Sequence, residues 1–194
     1  MAEIKLSIII PLYNAPFDYF KSCLESIREQ TLPKNFAEVI IIDDCSTEDY
    51  TNIFNEYADL SLRIEHLERN FGPGVARHKG VELAKGRYIT FLDADDEFFD
   101  SVSVKNLYEA ALKNPFHDMI CGRVLEQLKN GEVLPHSNEY SWCFAKLFKR
   151  DFLKKNKINF NDTRANEDNS FCTLCSLISN KILWIDDFVY YWKY

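Results

Sequence analysis

The sequence predicts an α/β domain: a mostly parallel sheet with helices on both faces, closed by a small antiparallel C-terminal part. Three observations carry that expectation. Short apolar runs without polar alternation, such as Glu38–Ile42 and Arg87–Leu92, suit strands buried on both faces. Segments with apolar residues at helical spacing separate them, as with Phe17, Phe20, Leu24 and Ile27. The second half then changes character, with Lys129-Asn130-Gly131 as a hairpin signal between two β-rich stretches.

Taken in order, Lys5–Ile10 is a strand ended by Pro11, and 17–29 is an amphipathic helix. Glu38–Ile42 is the second strand, followed by Asp43 and Asp44. Ser46-Thr47-Glu48-Asp49 reads as a helix start with Ser46 as N-cap, and Ile53, Phe54 and Tyr57 point inward from that helix. Leu62–Leu67 is the third strand and Phe71-Gly72-Pro73-Gly74 a turn. Val75–Lys85 is a helix ended by Gly86, and Arg87–Leu92 is the fourth strand. Ser101–Lys113 is helical, and Met119–Leu128 and Glu132–Leu134 pair about the hairpin. Trp142–Phe148 is a strand and Asp151–Asn156 a short helix. Another helix begins at Asn166-Glu167-Asp168, and Ile182–Ile185 and Phe188–Trp192 are two short strands. With no Pro/Gly/Ser-rich linker and no repeat, 1–194 is read as one domain. Residues 1–96 form a nucleotide-binding half, and 97–194 build the other wall of a cleft.

At 194 residues, with 46% hydrophobic and 27% charged content, the chain has the make-up of a soluble globular protein with a substantial core. Its formal net charge of −7 excludes a general nucleic-acid binder and gives no support to a polybasic membrane anchor. No apolar stretch approaches the ~20 residues of a membrane span. Met1-Ala2-Glu3-Ile4-Lys5 runs straight into a strand without the layout of a signal peptide, so the expected location is cytoplasmic. Cys23, Cys45, Cys121 and Cys143 read as reduced, mostly buried thiols. Cys172 and Cys175 form a C-x-x-C with no second pair and no paired His, and read as structural residues inside a helix.

The chemistry concentrates in Asp93-Ala94-Asp95-Asp96, directly after an apolar strand. Clustered like charges disfavour joint ionisation unless a cation sits among them. Oxygen ligands suit Mg²⁺ or Mn²⁺, ions that commonly accompany phosphates. The other reading is an acidic loop whose side chains cap a helix. In an open parallel sheet, ligands bind beyond the carboxyl ends of the strands. Four special segments fall there: Pro11-Leu12-Tyr13-Asn14, Asp43-Asp44-Cys45-Ser46, Asn70 to Arg77, and Asp93 to Asp96. Beside Pro11, Tyr13 offers an aromatic face to a base and Asp44 an acceptor for a base N–H. Arg77 supplies donors to a base or phosphate, Asp93 accepts from ribose hydroxyls, and Asp95 holds a metal against a diphosphate. No glycine-rich phosphate loop is present.

These four segments, with the later Trp142…Lys146-Leu147-Phe148-Lys149-Arg150 and Asn166-Glu167-Asp168, resemble a family-2 glycosyltransferase of the GT-A fold. The resemblance covers nearly the whole chain, in order. It implies a nucleotide-sugar donor, usually a UDP-sugar, a divalent Mn²⁺ or Mg²⁺ ion at the acid cluster, and inversion at the anomeric carbon. By the same resemblance Asp168 is the general base, and an unperturbed Asp with pKa ~3.9 is ionised at neutral pH. Two departures stand out. Cys45 occupies a position where the family most often has Gly, which is tolerable if the backbone there needs no positive φ. The Tyr190-Tyr191-Trp192-Lys193-Tyr194 segment resembles one that often carries Arg or a metal-coordinating His, whereas here Lys193 stands and no His follows His136. The alternatives are a nucleotide-sugar-binding module without turnover, or a sugar-nucleotide nucleotidyltransferase. The latter would want an N-terminal glycine-rich loop in place of Pro11–Asn14. Donor sugar, acceptor and oligomeric state are not specified by these motifs.

Overall fold

The computed structural model describes residues 4–33, 36–137, 139–163 and 165–193. Met1–Glu3 and Tyr194 of the segments named above lie outside that set. At the centre stands β1 (Leu6–Leu12), flanked by β2 (Ala37–Asp43) and β4 (Tyr88–Phe91), with β3 (Leu62–His66) outside β2. All these pairings are parallel. Beyond β4 the sheet continues through β8 (Lys146–Lys149), antiparallel to both β4 and β6 (Met119–Gln127). Next to β6 lies β9 (Ile182–Trp192), which is parallel to it and carries the two-residue β5 (Glu97–Phe98) on its far side. The hairpin strand β7 (Val133–His136) pairs with β6.

The apolar runs bury on both faces because successive side chains alternate across the pleat. Leu6, Ile8, Ile10, Leu12, Val39 and Ile41 enter one core, with Phe20, Cys23 and Leu24 of α1 (Phe17–Arg28). That core also takes Ile53 of α2 (Thr51–Glu56) and Val104 and Leu107 of α4 (Ser103–Lys113). Ile9, Ile40, Ile42, Ile89 and Phe91 enter the other, where they meet Ala76 and Val81 of α3 (Pro73–Leu83). Phe152 of α5 (Arg150–Lys155) and Phe171, Cys172 and Cys175 of α6 (Glu167–Ile178) complete it. The C-x-x-C thiols are thus free core groups, and burial pushes that of Cys175 up to about 12. Among the described residues no helix is long and apolar enough to cross a membrane.

Several expectations are corrected, among them the end of the first strand, since β1 runs through Pro11 to Leu12. Ser46 does not cap a helix: its Oγ accepts the Asn14 N–H at 3.1 Å, and α2 starts later, at Thr51. The strand expected over Trp142–Phe148 is only Lys146–Lys149. The two C-terminal strands are one, since β9 runs through exposed Asp186 and Asp187, where its pairing with β6 shifts register instead of breaking. Cys45 is exposed and has φ 64°, in the left-handed region, so the condition for tolerating a side chain there is not met and Cys bears a local strain.

Gly86 does not end α3 either; the helix closes at Leu83 with Ala84 as its C-cap. A Cβ on Gly86 would lie 2.5 Å from the Leu6 carbonyl carbon and from the Ser7 nitrogen, so the glycine allows the chain to press against β1. Its N–H donates to Ser7 Oγ at 2.9 Å, and that hydroxyl donates to buried Glu38 at 2.6 Å. Gly86→Ala is expected to lower stability by about 1–3 kcal/mol, towards the upper end because the obstructing atoms are backbone. The fall in the urea unfolding midpoint measures it.

Candidate active site

The chain passes from β1 to β2 on one side, then returns through β4 on the other. Such a reversal opens a crevice at the carboxyl ends of the strands. There lies a cleft of about 480 Å³, and it brings together Pro11, Tyr13, Asp44, Arg77, Asp93 and Asp95. Asp168 does not line it.

Tyr13, Asp44, Asp93 and Asp95 lie in loops that follow strands, Pro11 lies near the end of β1 and Arg77 lies in α3. Asn14, at φ 48°, turns the chain out of β1, and its Oδ1 accepts the Thr47 N–H at 2.8 Å. That bond, with Asn14 N–H to Ser46, ties the loop after β1 to the loop after β2. Tyr13 is left 51% exposed, with its ring open to a flat ligand. Asp44 is buried, and its two oxygens accept the N–H groups of Phe71 and Gly72 at 2.8 and 2.7 Å. It therefore fixes the turn before α3. Each oxygen keeps a second acceptor position.

Arg77 is 6% exposed and donates from Nη2 to Asp93 Oδ1 at 2.6 Å and from Nη1 to Glu167 Oε1 at 2.7 Å. Burial alone would lower its pKa, but the charges of Asp93 and Glu167 outweigh that and hold it well above the usual value. The two terminal nitrogens are thus committed to protein carboxylates, a pairing that the sequence motif did not reveal. Asp93 also donates its backbone N–H to the hydroxyl of Tyr190 at 3.2 Å.

Asp95 is exposed at the cleft, and partial desolvation together with the charge of Asp93 raises its pKa. Asp96, which sequence patterning left without a role, is buried. Its Oδ2 accepts the Tyr190 hydroxyl at 2.7 Å and its Oδ1 the Lys193 N–H at 2.8 Å. Burial, and next the charge of Asp93, push it up to about 8. Asp96 is the anchor that attaches the acidic loop to β9. Lys193 pairs through its Nζ with Glu97.

Asp168 occupies the first turn of α6, and its Oδ1 accepts the Asn169 N–H at 2.8 Å. It is not the unperturbed acid the sequence suggested. Burial raises its pKa, and the neighbouring charge of Glu167 adds to the rise. Glu167 itself was missed; its only signal was adjacency to Asp168 in Asn166-Glu167-Asp168.

Among the described residues no group of three His, Cys, Asp or Glu is arranged to hold a metal ion. One oxygen of Asp93 is taken by Arg77, while its other oxygen is not, and Asp95 is the more exposed of the two carboxylates at the cleft. These residues do not form a closed metal cage. They fit the mode in which one or two carboxylates bind Mg²⁺ or Mn²⁺ and ligand phosphates with water complete the shell.

A poly(ribitol-phosphate) beta-glucosyltransferase of Bacillus spizizenii is 33% identical over 207 residues, covering 97% of this chain and 32% of that protein. The crystal structure of Staphylococcus aureus TarS 1-349 in complex with UDP superposes with a TM-score of 0.88 at 27% identity, covering 98% of this chain and 61% of that one. The same enzyme in complex with UDP-GlcNAc gives 0.88 at 28% identity, covering 98% and 59%. The chain spans about a third of the length of two of the curated relatives it matches, the Bacillus spizizenii protein and Staphylococcus aureus TarS. Its α/β fold, a mostly parallel sheet with added antiparallel strands, matches the GT-A fold of TarS. The profile described as Glycosyl transferase family 2 matches residues 7–183, and the chain belongs to that family.

Proposed function

We propose that the chain is the donor-binding and catalytic unit of an inverting, metal-dependent glycosyltransferase that moves a sugar from a UDP-sugar to a hydroxyl acceptor. The observation that carries this reading is a cleft at the strand ends, which gathers an aromatic face, acceptors and an open carboxylate from four separate segments. The UDP and UDP-GlcNAc complexes of TarS support the choice of donor.

Tyr13 stacks the base, and the second acceptor position of Asp44 receives a base N–H. The remaining oxygen of Asp93 takes a ribose hydroxyl. Asp95 would hold a divalent cation, which would supply Lewis-acid stabilisation to the diphosphate leaving group. On the other side, Asp168 accepts the proton of the acceptor hydroxyl as its oxygen bonds the anomeric carbon and the bond to the diphosphate breaks. Attack opposite the leaving group inverts the centre. The names of the relatives make poly(ribitol phosphate) the first acceptor to assay. All six cysteines are free, which suits a reducing cytoplasm.

Calorimetric titration tests the donor site. UDP is expected to bind with Mn²⁺, and Asp95→Ala to weaken that binding about tenfold or more. Unchanged metal-dependent binding in the variant removes Asp95 from the role. Asp168→Asn should lose about 10²–10⁴-fold in transfer or in slow UDP-sugar hydrolysis while still binding UDP. Normal turnover by that variant would assign the base elsewhere.

A further inference from the structure

We infer that Glu167 is a positioning residue: by holding Arg77 it fixes Asp168 against the loop that carries Asp93 and Asp95. This role rests on the reaction proposed above. Glu167 is buried in the first turn of α6, and Asp168 follows it directly. One guanidinium joins Glu167, at 2.7 Å, to Asp93, at 2.6 Å. The guanidinium fork is planar and rigid, so one side chain sets the spacing between the first turn of α6 and the end of β4.

The packing around the bridge leaves little slack. A Cβ on Gly74 would lie 2.5 Å from the Asn161 carbonyl oxygen and 2.9 Å from Glu167 Cγ, so the starts of α3 and α6 are in direct contact. Phe160 lies 6.0 Å from the Arg77 guanidinium and stacks on Phe171 of α6, with centroids 4.0 Å apart and an interplanar angle of 5°. Glu167 does not line the cleft, so its contribution passes through Arg77 and through its charge beside Asp168.

The charged groups facing Asp168 are Glu167 on its own helix, Arg77 from α3 and Asp93 from the loop after β4. Glu167 and Asp93 raise its pKa, while Arg77 and the Asn169 N–H lower it. Glu167→Gln removes a negative neighbour and leaves Arg77 less compensated, and both changes favour ionised Asp168. A role in packing alone predicts no such shift.

The test is UDP-N-acetylglucosamine hydrolysis with Mn²⁺ by wild type, Glu167→Gln and Glu167→Asp, with kcat, KM and the pH profile of kcat. In Glu167→Gln, kcat should fall about tenfold or more with KM within about twofold, and the acid limb should move to lower pH. Glu167→Asp keeps the charge but is one methylene shorter, so its limb should stay in place while kcat remains low. That gentler variant also decides the matter if the glutamine does not fold. An unchanged kcat in the variants, or a raised KM with kcat intact, overturns the positioning role alone. A wild type that neither binds UDP nor cleaves the sugar nucleotide overturns the glycosyltransfer reading, and this role with it.

Discussion

The buried guanidinium of Arg77 between Asp93 and Glu167 is the contact on which the relative placement of the acidic loop and α6 depends. Desolvating three charges is costly, and a buried ion pair is often no better for stability than apolar groups of similar volume. Removing one member is different, because about 3–5 kcal/mol is lost when a partner is left charged and unpaired. Such a bridge tolerates one geometry and penalises others. It fixes α6, from the second half of the chain, to the loop after β4, from the first half.

The loops around the cleft are held in a similarly exacting way. Asn14 and Cys45 both have left-handed backbone, at φ 48° and 64°. Each non-glycine residue in that region costs about 1–2 kcal/mol unless its side chain gives something back. Asn14 does so through its bond to the Thr47 N–H, whereas Cys45 is exposed. Backbone strain therefore sits at the ends of β1 and β2, where the ligand-facing turns must be sharp.

Much of the first half was legible because strand and helix periods are local. Ile8, Ile9 and Ile10 declare a strand buried on both faces, and the acids and Asn14 that follow such strands fall at one end of a parallel sheet by topology alone. The family resemblance then added Asp168 to the candidates. What stayed hidden depends on contacts between residues far apart in sequence. Arg77 was readable as a cation but not as one committed to residue 167, a separation of 90 positions. Asp96 was readable as an acid but not as the partner of Tyr190, because nothing near Asp96 announces a strand nearly a hundred residues later. The raised pKa of Asp168 was equally invisible, since burial of a first-turn carboxyl is set by what packs over it.

The Tyr190–Asp96 contact bears on the order in which the molecule comes into being. Its partners are 94 positions apart, and closure over such a separation is late and entropically costly. On the ribosome the first half emerges well before β9 exists. Until that strand threads in beside β6, the acidic loop lacks its anchor, and its carboxylates repel one another with no fixed arrangement. A nascent chain can thus own every residue that lines the cleft and still have no ordered cleft. The acidic loop gains its fixed arrangement when β9 pairs with β6.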